Sequence, residues 1–175
     1  VQIKDLNSYI YYGYKFDDQS VVLDPYAKGT STTIQWGASE SYLALGIIAR
    51  AADFDWSNVE RPRLPWNEMI IYELHVRGFT IHPSSGVSNP GTFLGLIEKI
   101  PHLVEMGINA VELMPMQEFN ENEVKKFPNP AQKDLFNYWG YSTVNFFSPM
   151  NRYAASSEIN AAIVEFKTMV RELHR

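Results

Sequence analysis

The chain has 175 residues, enough for one domain or for one small domain and part of another. Its net charge of −5 argues against a nucleic-acid ligand or an anionic membrane surface, and no stretch approaches the roughly 18 apolar residues of a transmembrane helix. Cysteine is absent, which excludes disulfides and Cys-based zinc sites and weakly favours a reducing compartment. Aromatic residues make up a high 14%.

The N-terminal part of the chain has the pattern of a β-rich module. Residues 8–16 are rich in strand formers, and Pro25 marks a turn because its ring fixes φ. An extended connector interrupted by prolines follows at residues 53–67. We therefore predict a domain boundary there, with residues 1–52 before it and residues 68–175 after it.

The hydrophobic pattern changes after the connector. Residues 69–76 form a nearly continuous apolar run, as expected for a strand buried on both faces of a parallel sheet. Thr92 is a good N-cap for a helix that continues to Ile100. Pro101 predicts a break and a restart, because proline clashes in a helix interior. Gly107 is expected to end the second helical piece.

A second buried strand is predicted over residues 108–114, and a long loop follows from Pro115 to about Ser157. The loop is far longer than a usual α/β connection, so we expect it to be functional. The final segment places apolar residues on one helix face from Ile159 to Leu173. The order strand, helix, strand, helix predicts an α/β fold with a parallel sheet.

Two strands cannot close a barrel, and the faces of such a pair would stay exposed. The last helical pattern also reaches Arg175 without a C-cap. We therefore expect the chain to be the front portion of a larger protein.

Three aromatic rings surround one glycine within the long loop. The sequence there is NYWGYST at residues 137–143, with Tyr138, Trp139 and Tyr141 around Gly140. Flat aromatic rings can stack on sugar faces, and glycine allows close approach of the backbone. An arbitrary aromatic cluster more often belongs to a core. Because this cluster lies in a long loop after a predicted strand, we favour a binding role.

The acidic residues do not form a recognisable catalytic pair. Glu73 and Glu112 lie within predicted strands, so we expect structural pairing, for example with Arg77, rather than catalysis. Three glutamates of the long loop are expected to be solvated: Glu118, Glu121 and Glu123. No two carboxyl groups have environments that would separate their pKa values, so no catalytic residue is predicted in this chain.

The histidines lack the spacing of a metal site. They are His75, His82, His102 and His174. No His-Glu-x-x-His motif, glycine-rich phosphate loop or GxSxG nucleophile elbow is present. No metal ligand and no cofactor are therefore predicted.

Several stretches together resemble the α-amylase superfamily of glycoside hydrolases, and most of all its isoamylase-type debranching enzymes. They are IYELHVRGFT at 71–80, PGTF at 90–93, AVELMP at 110–115 with EF at 118–119, and NYWGYST at 137–143 with FSP at 147–149. Residues 23–28 and 53–56 resemble the junction between the family's N-terminal β-sandwich and its barrel. The resemblance covers nearly the whole chain.

The resemblance implies a (β/α)8 TIM barrel preceded by a carbohydrate-binding-like β-sandwich. Residues 1–52 would be the sandwich's end and the junction, and residues 68–175 the first two βα units of the barrel. Sites in such barrels lie at the carboxyl ends of the strands. By similarity, Tyr141 stacks on the sugar in the −1 subsite and Trp139 makes a neighbouring contact. The family's catalytic carboxylates come from later strands.

The implied activity is hydrolysis of α-1,6 branch linkages in glycogen, amylopectin or limit dextrins, with retention of configuration. The implied partner is a branched α-glucan, without nucleic acid or membrane, and a homo- or hetero-oligomer remains open. One alternative is a branching enzyme or α-1,4-amylase of the same fold. Another is a non-catalytic glucan-binding or regulatory subunit. Some relatives bind calcium, but no local ligand cluster supports it here. A cytoplasmic location is expected, with a plastid as the alternative.

Overall fold

The computed structural model describes residues 9–38, 44–49, 54–56, 59–125, 127–128, 130 and 135–175. The strands are β1 (Tyr9–Tyr12), β2 (Gly46–Ala49), β3 (Ile71–Leu74), β4 (Ala110–Leu113), β5 (Gln117–Phe119) and β6 (Thr143–Pro149). The helices are α1 (Val76–Thr80), α2 (Phe93–Ile97), α3 (Ile100–Glu105) and α4 (Ala161–His174). Single 3-10 turns lie at Trp66–Glu68, Pro83–Ser85 and Asn151–Tyr153.

The N-terminal part contains an antiparallel pair. β1 pairs with β2 in the register Tyr9↔Ala49 to Tyr12↔Gly46, so the predicted strand is confirmed. The turn at Pro25 is confirmed as well, because the Ala27 amide donates to the Asp24 carbonyl oxygen at 3.1 Å. Parts of the predicted sandwich end and connector lie outside the described residues: 1–8, 39–43, 50–53 and 57–58.

β3 and β4 form a parallel pair, as the hydrophobic runs predicted. The register runs from Ile71↔Ala110 to Leu74↔Leu113, and α1, α2 and α3 lie between the two strands in the chain. The prediction that β3 is buried on both faces was wrong, because Ile71 and Glu73 are exposed. The described sheet has only these two strands, so nothing in it covers the outer face. The closed barrel stays a prediction.

The signals for the ends of the helices between β3 and β4 are confirmed. The Thr92 hydroxyl accepts the Gly95 amide at 3.1 Å and caps α2. The predicted break is confirmed, but it comes earlier, because α2 ends at Ile97 and Ile100 already begins α3. Pro101 lies in the first turn of α3, where its missing N–H costs nothing. Gly107 follows α3 with a φ of +77°, a conformation that glycine adopts without strain.

The prediction of one long loop from Pro115 to Ser157 was wrong for much of that range. The segment contains the antiparallel pair of β5 and β6, with irregular register on both sides of Glu118. β5 has only three residues. In β6 the side-chain oxygen of Asn145 accepts hydrogen bonds from the backbone amides of Phe147 and Ser148, so the strand lacks the regular alternation of its two faces. Neither strand therefore has a recognisable sequence period. Residues 126, 129 and 131–134 lie outside the described part.

The core lies between α4, α2 and the carboxyl end of β3. α4 is confirmed within two residues of its predicted bounds, and it packs against α2. The largest fully buried apolar side chains are Tyr153, Phe93, Phe119, Leu96, Met150 and Met169. Among the described helices, none has the length and apolar character needed to span a bilayer.

Candidate functional site

The loop of residues 137–142, here called the aromatic loop, lies at the carboxyl ends of β3 and β4. The Tyr138 ring stacks on the ring of His75, the residue after β3, with centroids 4.6 Å apart and 13° between the planes. A Cβ atom on Gly140 would lie 3.1 Å from the carbonyl oxygen of Pro115, which follows β4 by two residues. The long connection thus folds back to the edge of the sheet where α/β barrels carry their sites.

The structure exposes both residues that were predicted to bind sugar. The Tyr141 residue is 61% exposed and the Trp139 residue is 56% exposed. Trp139 lies edge-on to His75 and to Tyr138, with centroid distances of 6.1 and 5.9 Å. Tyr138 is half-buried. One ring of the loop therefore anchors it, while two present themselves to solvent.

Backbone geometry directs Tyr141 outward. The residues on either side of it, Gly140 and Ser142, have φ values of +83° and +112°. A side chain at Gly140 would also meet the Phe119 ring at 2.8 Å, so the position needs glycine for both conformation and space. A serine at positive φ is uncommon, and such conformations persist where the surrounding structure holds them.

Asn137 closes the aromatic loop. Its side-chain amide donates to the Tyr141 carbonyl oxygen and to the Glu123 carboxylate, each at 2.6 Å, and its Oδ1 accepts the Gly140 amide at 3.1 Å. The Asn137 amide donates to the Glu121 carbonyl oxygen at 2.8 Å. These bonds satisfy the polar groups of a tight turn and fix the position of the Tyr141 backbone.

His75 connects the sheet to the aromatic loop. Its Nδ1 accepts the Gly78 amide at 2.9 Å and so caps α1. The other ring nitrogen, Nε2, therefore carries the proton; it lies 2.7 Å from the Tyr138 carbonyl oxygen and 3.1 Å from the Tyr153 hydroxyl oxygen. Burial lowers the pKa of His75, although the bond to Tyr138 partly opposes this, so the imidazole is neutral near pH 7.

Sequence reasoning considered His75 only as a metal ligand. The signal that it missed is local: a histidine directly after a strand and before a short helix can act as an N-cap.

Trp36, from the N-terminal part of the chain, forms the wall behind the aromatic loop. Its ring is nearly parallel to that of Tyr153, with 11° between the planes and centroids 6.4 Å apart, and it meets Tyr138 and Phe119 edge-on. The Arg77 guanidinium lies 4.9 Å from the Trp36 ring, in cation–π geometry. The hydrophobic pattern did not predict this wall, because Trp36 and the rings it packs against, Tyr138 and Tyr153, come from distant parts of the sequence.

The expectation that Glu118 and Glu121 are solvated was wrong. Both are buried, and both pair with the buried guanidinium of Arg152. Glu118 also accepts the hydroxyls of Thr30 and Thr32, at 3.2 and 3.1 Å. Charges are removed from water only where partners replace the lost hydration, and Arg152 lies 34 residues from Glu118, beyond any local pattern.

The second carboxylate of this group supports the wall. Glu121 lies 2.9 Å from Nε of Arg152, and its other oxygen accepts the Gly37 amide at 2.9 Å, next to Trp36. Its main chain accepts the Asn137 amide. Glu121 thus holds Gly37, which is next to Trp36, through its side chain, and Asn137 of the aromatic loop through its main chain.

The predicted structural pairing of Glu73 and Glu112, for example with Arg77, was also wrong. Both glutamates are exposed, and the ion pairs of the described residues include neither of them. Arg77 instead faces Trp36. Within the described ranges, no group of three or more His, Cys, Asp or Glu side chains could hold a metal ion.

A cleft of about 1080 Å³ lies away from the aromatic loop. Its lining includes Tyr26, Phe54, Trp56, Phe147 and Val170, and none of the rings of residues 138–141. The candidate site is therefore an open surface of rings and not this cavity. We favour the aromatic loop because its rings are fixed by named hydrogen bonds and lie at the carboxyl ends of two parallel strands.

No family model matches the chain. It is 47% identical to isoamylase 3, chloroplastic, of Oryza sativa over 170 residues, which cover 93% of this chain and 22% of that protein. It is 35% identical to the glycogen operon protein GlgX homolog of Mycobacterium bovis, with 93% of this chain and 25% of that protein covered.

Solved structures agree with these relatives. A pullulanase from Paenibacillus barengoltzii, crystallised with maltohexaose and alpha-cyclodextrin, superposes with a TM-score of 0.68 at 28% identity, over 95% of this chain and 26% of that one. The chain thus spans about a fifth to a quarter of the length of the proteins it matches. Over nearly all of its own length, the chain is homologous to isoamylase and GlgX proteins of the α-amylase superfamily.

Proposed function

We propose that the protein is a retaining glycoside hydrolase that cleaves α-1,6 branch linkages in glycogen or amylopectin, and that this chain supplies scaffold and a sugar-stacking surface. The observation that carries the proposal is the pair of exposed rings, Trp139 and Tyr141, on a loop held at the carboxyl ends of β3 and β4. The names of the relatives, isoamylase, GlgX and pullulanase, support this reaction class.

In this proposal the Tyr141 ring stacks on the glucose unit of the −1 subsite, and Trp139 contacts a neighbouring unit. The C–H face of a pyranose is apolar and carries partial positive charge, which suits the negative face of an aromatic ring. The aromatic loop is held by Asn137 and His75 before sugar arrives. Less conformational freedom is then lost on binding, so more of the contact energy appears as affinity.

No residue of this chain has a catalytic role in the proposal. Retaining hydrolysis uses a carboxylate nucleophile and a carboxyl acid/base about 5–5.5 Å apart. The carboxylates near the aromatic loop have structural partners: Arg152 for Glu118 and Glu121, and Asn137 for Glu123. We therefore expect the isolated chain to be inactive, with the catalytic carboxylates supplied by other residues of the protein.

The parallel pair of β3 and β4 is proposed to be part of a (β/α)8 barrel, and residues 1–52 the end of a β-sandwich. The likeness to pullulanase structures supports this assignment. The proposed partner is a branched α-glucan, and no cofactor is proposed. The expected location is the cytoplasm or a plastid, and the rice relative carries the word chloroplastic in its name.

The reaction is tested by incubating the native protein with amylopectin and, separately, with linear amylose. We expect new reducing ends from amylopectin, release of linear chains, and almost none from amylose. Release of reducing ends from amylose at the same rate as from amylopectin would instead identify an α-1,4-amylase. Formation of new branches would identify a branching enzyme. Binding of amylopectin without any release would identify a non-catalytic glucan-binding subunit.

A further inference from the structure

We propose that His75 is the positioning residue of the aromatic loop, acting on the exposed rings through the carbonyl group of Tyr138. The inference rests on the proposed function, because it concerns where Trp139 and Tyr141 present their rings to the glucan. His75 is the residue that follows β3, and both of its ring nitrogens are engaged.

The orientation of the His75 ring is set from the side of the sheet. Nδ1 accepts the Gly78 amide as the N-cap of α1, and the side chain is buried. The bond to the cap fixes the tautomer, so Nε2 carries a hydrogen that points at the Tyr138 carbonyl oxygen, 2.7 Å away. The Tyr138 ring also covers the imidazole face at 4.6 Å. Both the backbone and the side chain of Tyr138 therefore take their position from His75.

The position of Tyr138 determines that of the two exposed rings. Trp139 is the next residue, and its ring lies edge-on to His75 at 6.1 Å. Asn137 holds the Tyr141 carbonyl oxygen from the other side. Asn137 and His75 thus hydrogen-bond the aromatic loop at two separate points, and loss of the His75 bond removes one of these two supports from the segment that carries Trp139 and Tyr141.

Three variants separate positioning from simple stability. His75→Asn keeps a side-chain acceptor for the Gly78 amide, since Asn is a good N-cap, but its shorter side chain cannot reach the Tyr138 carbonyl. His75→Gln is long enough to return an N–H donor to that carbonyl. His102→Asn makes the same replacement at an exposed position on α3 and serves as the control.

Two readouts are measured on the native protein and each variant: hydrogen exchange of the amides of residues 137–142, and affinity for maltohexaose. We expect His75→Asn to speed exchange in this segment and to weaken binding about three- to tenfold, the equivalent of one lost hydrogen bond. His75→Gln should recover most of the loss, and His102→Asn should match the native protein in both readouts.

The result that overturns the proposal is native exchange in residues 137–142 of His75→Asn, or native affinity of that variant while Tyr141→Ala binds poorly. If Tyr141→Ala also binds maltohexaose with native affinity, the sugar-stacking function itself fails and takes this inference with it. Equal loss in His75→Asn and His75→Gln, with native exchange in the loop, would mean a structural role alone and would also overturn it.

Discussion

Single residues of the aromatic loop divide into rings that face solvent and groups that hold those rings. Trp139 and Tyr141 belong to the first kind, and Asn137, Tyr138 and Gly140 to the second. The resemblance to isoamylase-type enzymes implied that these two rings bind sugar, and this assignment stays a prediction. The sequence did not predict the backbone conformation of Ser142, whose φ of +112° is visible only in the structure.

Tyr141→Ala is expected to reduce kcat/KM on amylopectin about a hundredfold, because the sugar loses its stacking partner and its alignment. Unfolding free energy should change by less than about 0.5 kcal/mol, since the ring is mainly exposed. Tyr141→Phe keeps the ring face and should retain most of the activity. A collapse of stability with unchanged turnover per folded molecule would place Tyr141 in the core and contradict its proposed role.

Gly140→Ala is expected to destabilise the protein by at least about 2 kcal/mol, because the new Cβ adds a clash with the Phe119 ring to an unfavourable φ. Gly86→Ala is the matched control. Gly86 also has a positive φ, +66°, but nothing lies within 4 Å of its Cβ position, so only the backbone cost of about 1 kcal/mol applies. Urea denaturation measures both, and equal losses would exclude the packing contribution of Phe119.

At the scale of elements, the buried charges join β5 to the 3-10 turn that follows β6. Arg152→Ala is expected to cost about 3–5 kcal/mol of unfolding free energy, because Glu118 and Glu121 would be left buried without their cation. Arg175→Ala is the control. Arg175 is mostly exposed and pairs with Glu172 at 3.1 Å, so its loss should change stability by less than about 0.5 kcal/mol. Similar effects for the two variants would contradict the account of the buried pairs.

Elements with local signals were predictable, and those that depend on distant partners were not. Thr92, Pro101 and Gly107 each act on the chain within a few residues, so the limits of α2 and α3 follow from their chemistry. β5 owes its place to β6 and to Arg152, which are far along the chain. A polar three-residue strand has no period of its own that could show this pairing.

At the scale of the whole molecule, stability should depend on pH through His75. Its pKa is lowered in the folded state, so the unfolded chain binds more protons below about pH 6.5, and stability falls as pH drops from there through the lowered pKa. The groups facing the imidazole are Arg77, Tyr138 and Tyr153. The melting temperature should therefore be lower at pH 5 than at pH 7.5.

His75→Asn removes the titrating group and should reduce this difference between the two pH values. Asp24 and Glu98 also have lowered pKa values, from hydrogen bonds to their carboxylates, but they titrate at more acidic pH and stay ionised across this range. An equal drop in melting temperature for the native protein and for His75→Asn would show that another group is responsible.

The whole-molecule arrangement of the site could be predicted in outline from the sequence. Two apolar runs separated by helices imply a parallel pair, and a loop after the second run is then expected at its carboxyl edge, as observed for the aromatic loop. The wall behind it could not be predicted, because Trp36 precedes β3 and reaches Tyr153 only through tertiary packing.

The central claim is that the Tyr141 ring stacks on a glucose unit, and the most direct measurement is a crystal structure of the native protein with bound maltohexaose. We expect one pyranose ring to lie parallel to the Tyr141 ring, with carbon atoms within about 4 Å, and Trp139 to contact an adjacent unit. Sugar bound elsewhere, for example in the cleft beside Trp56, with the Tyr141 ring still in solvent, would contradict the account.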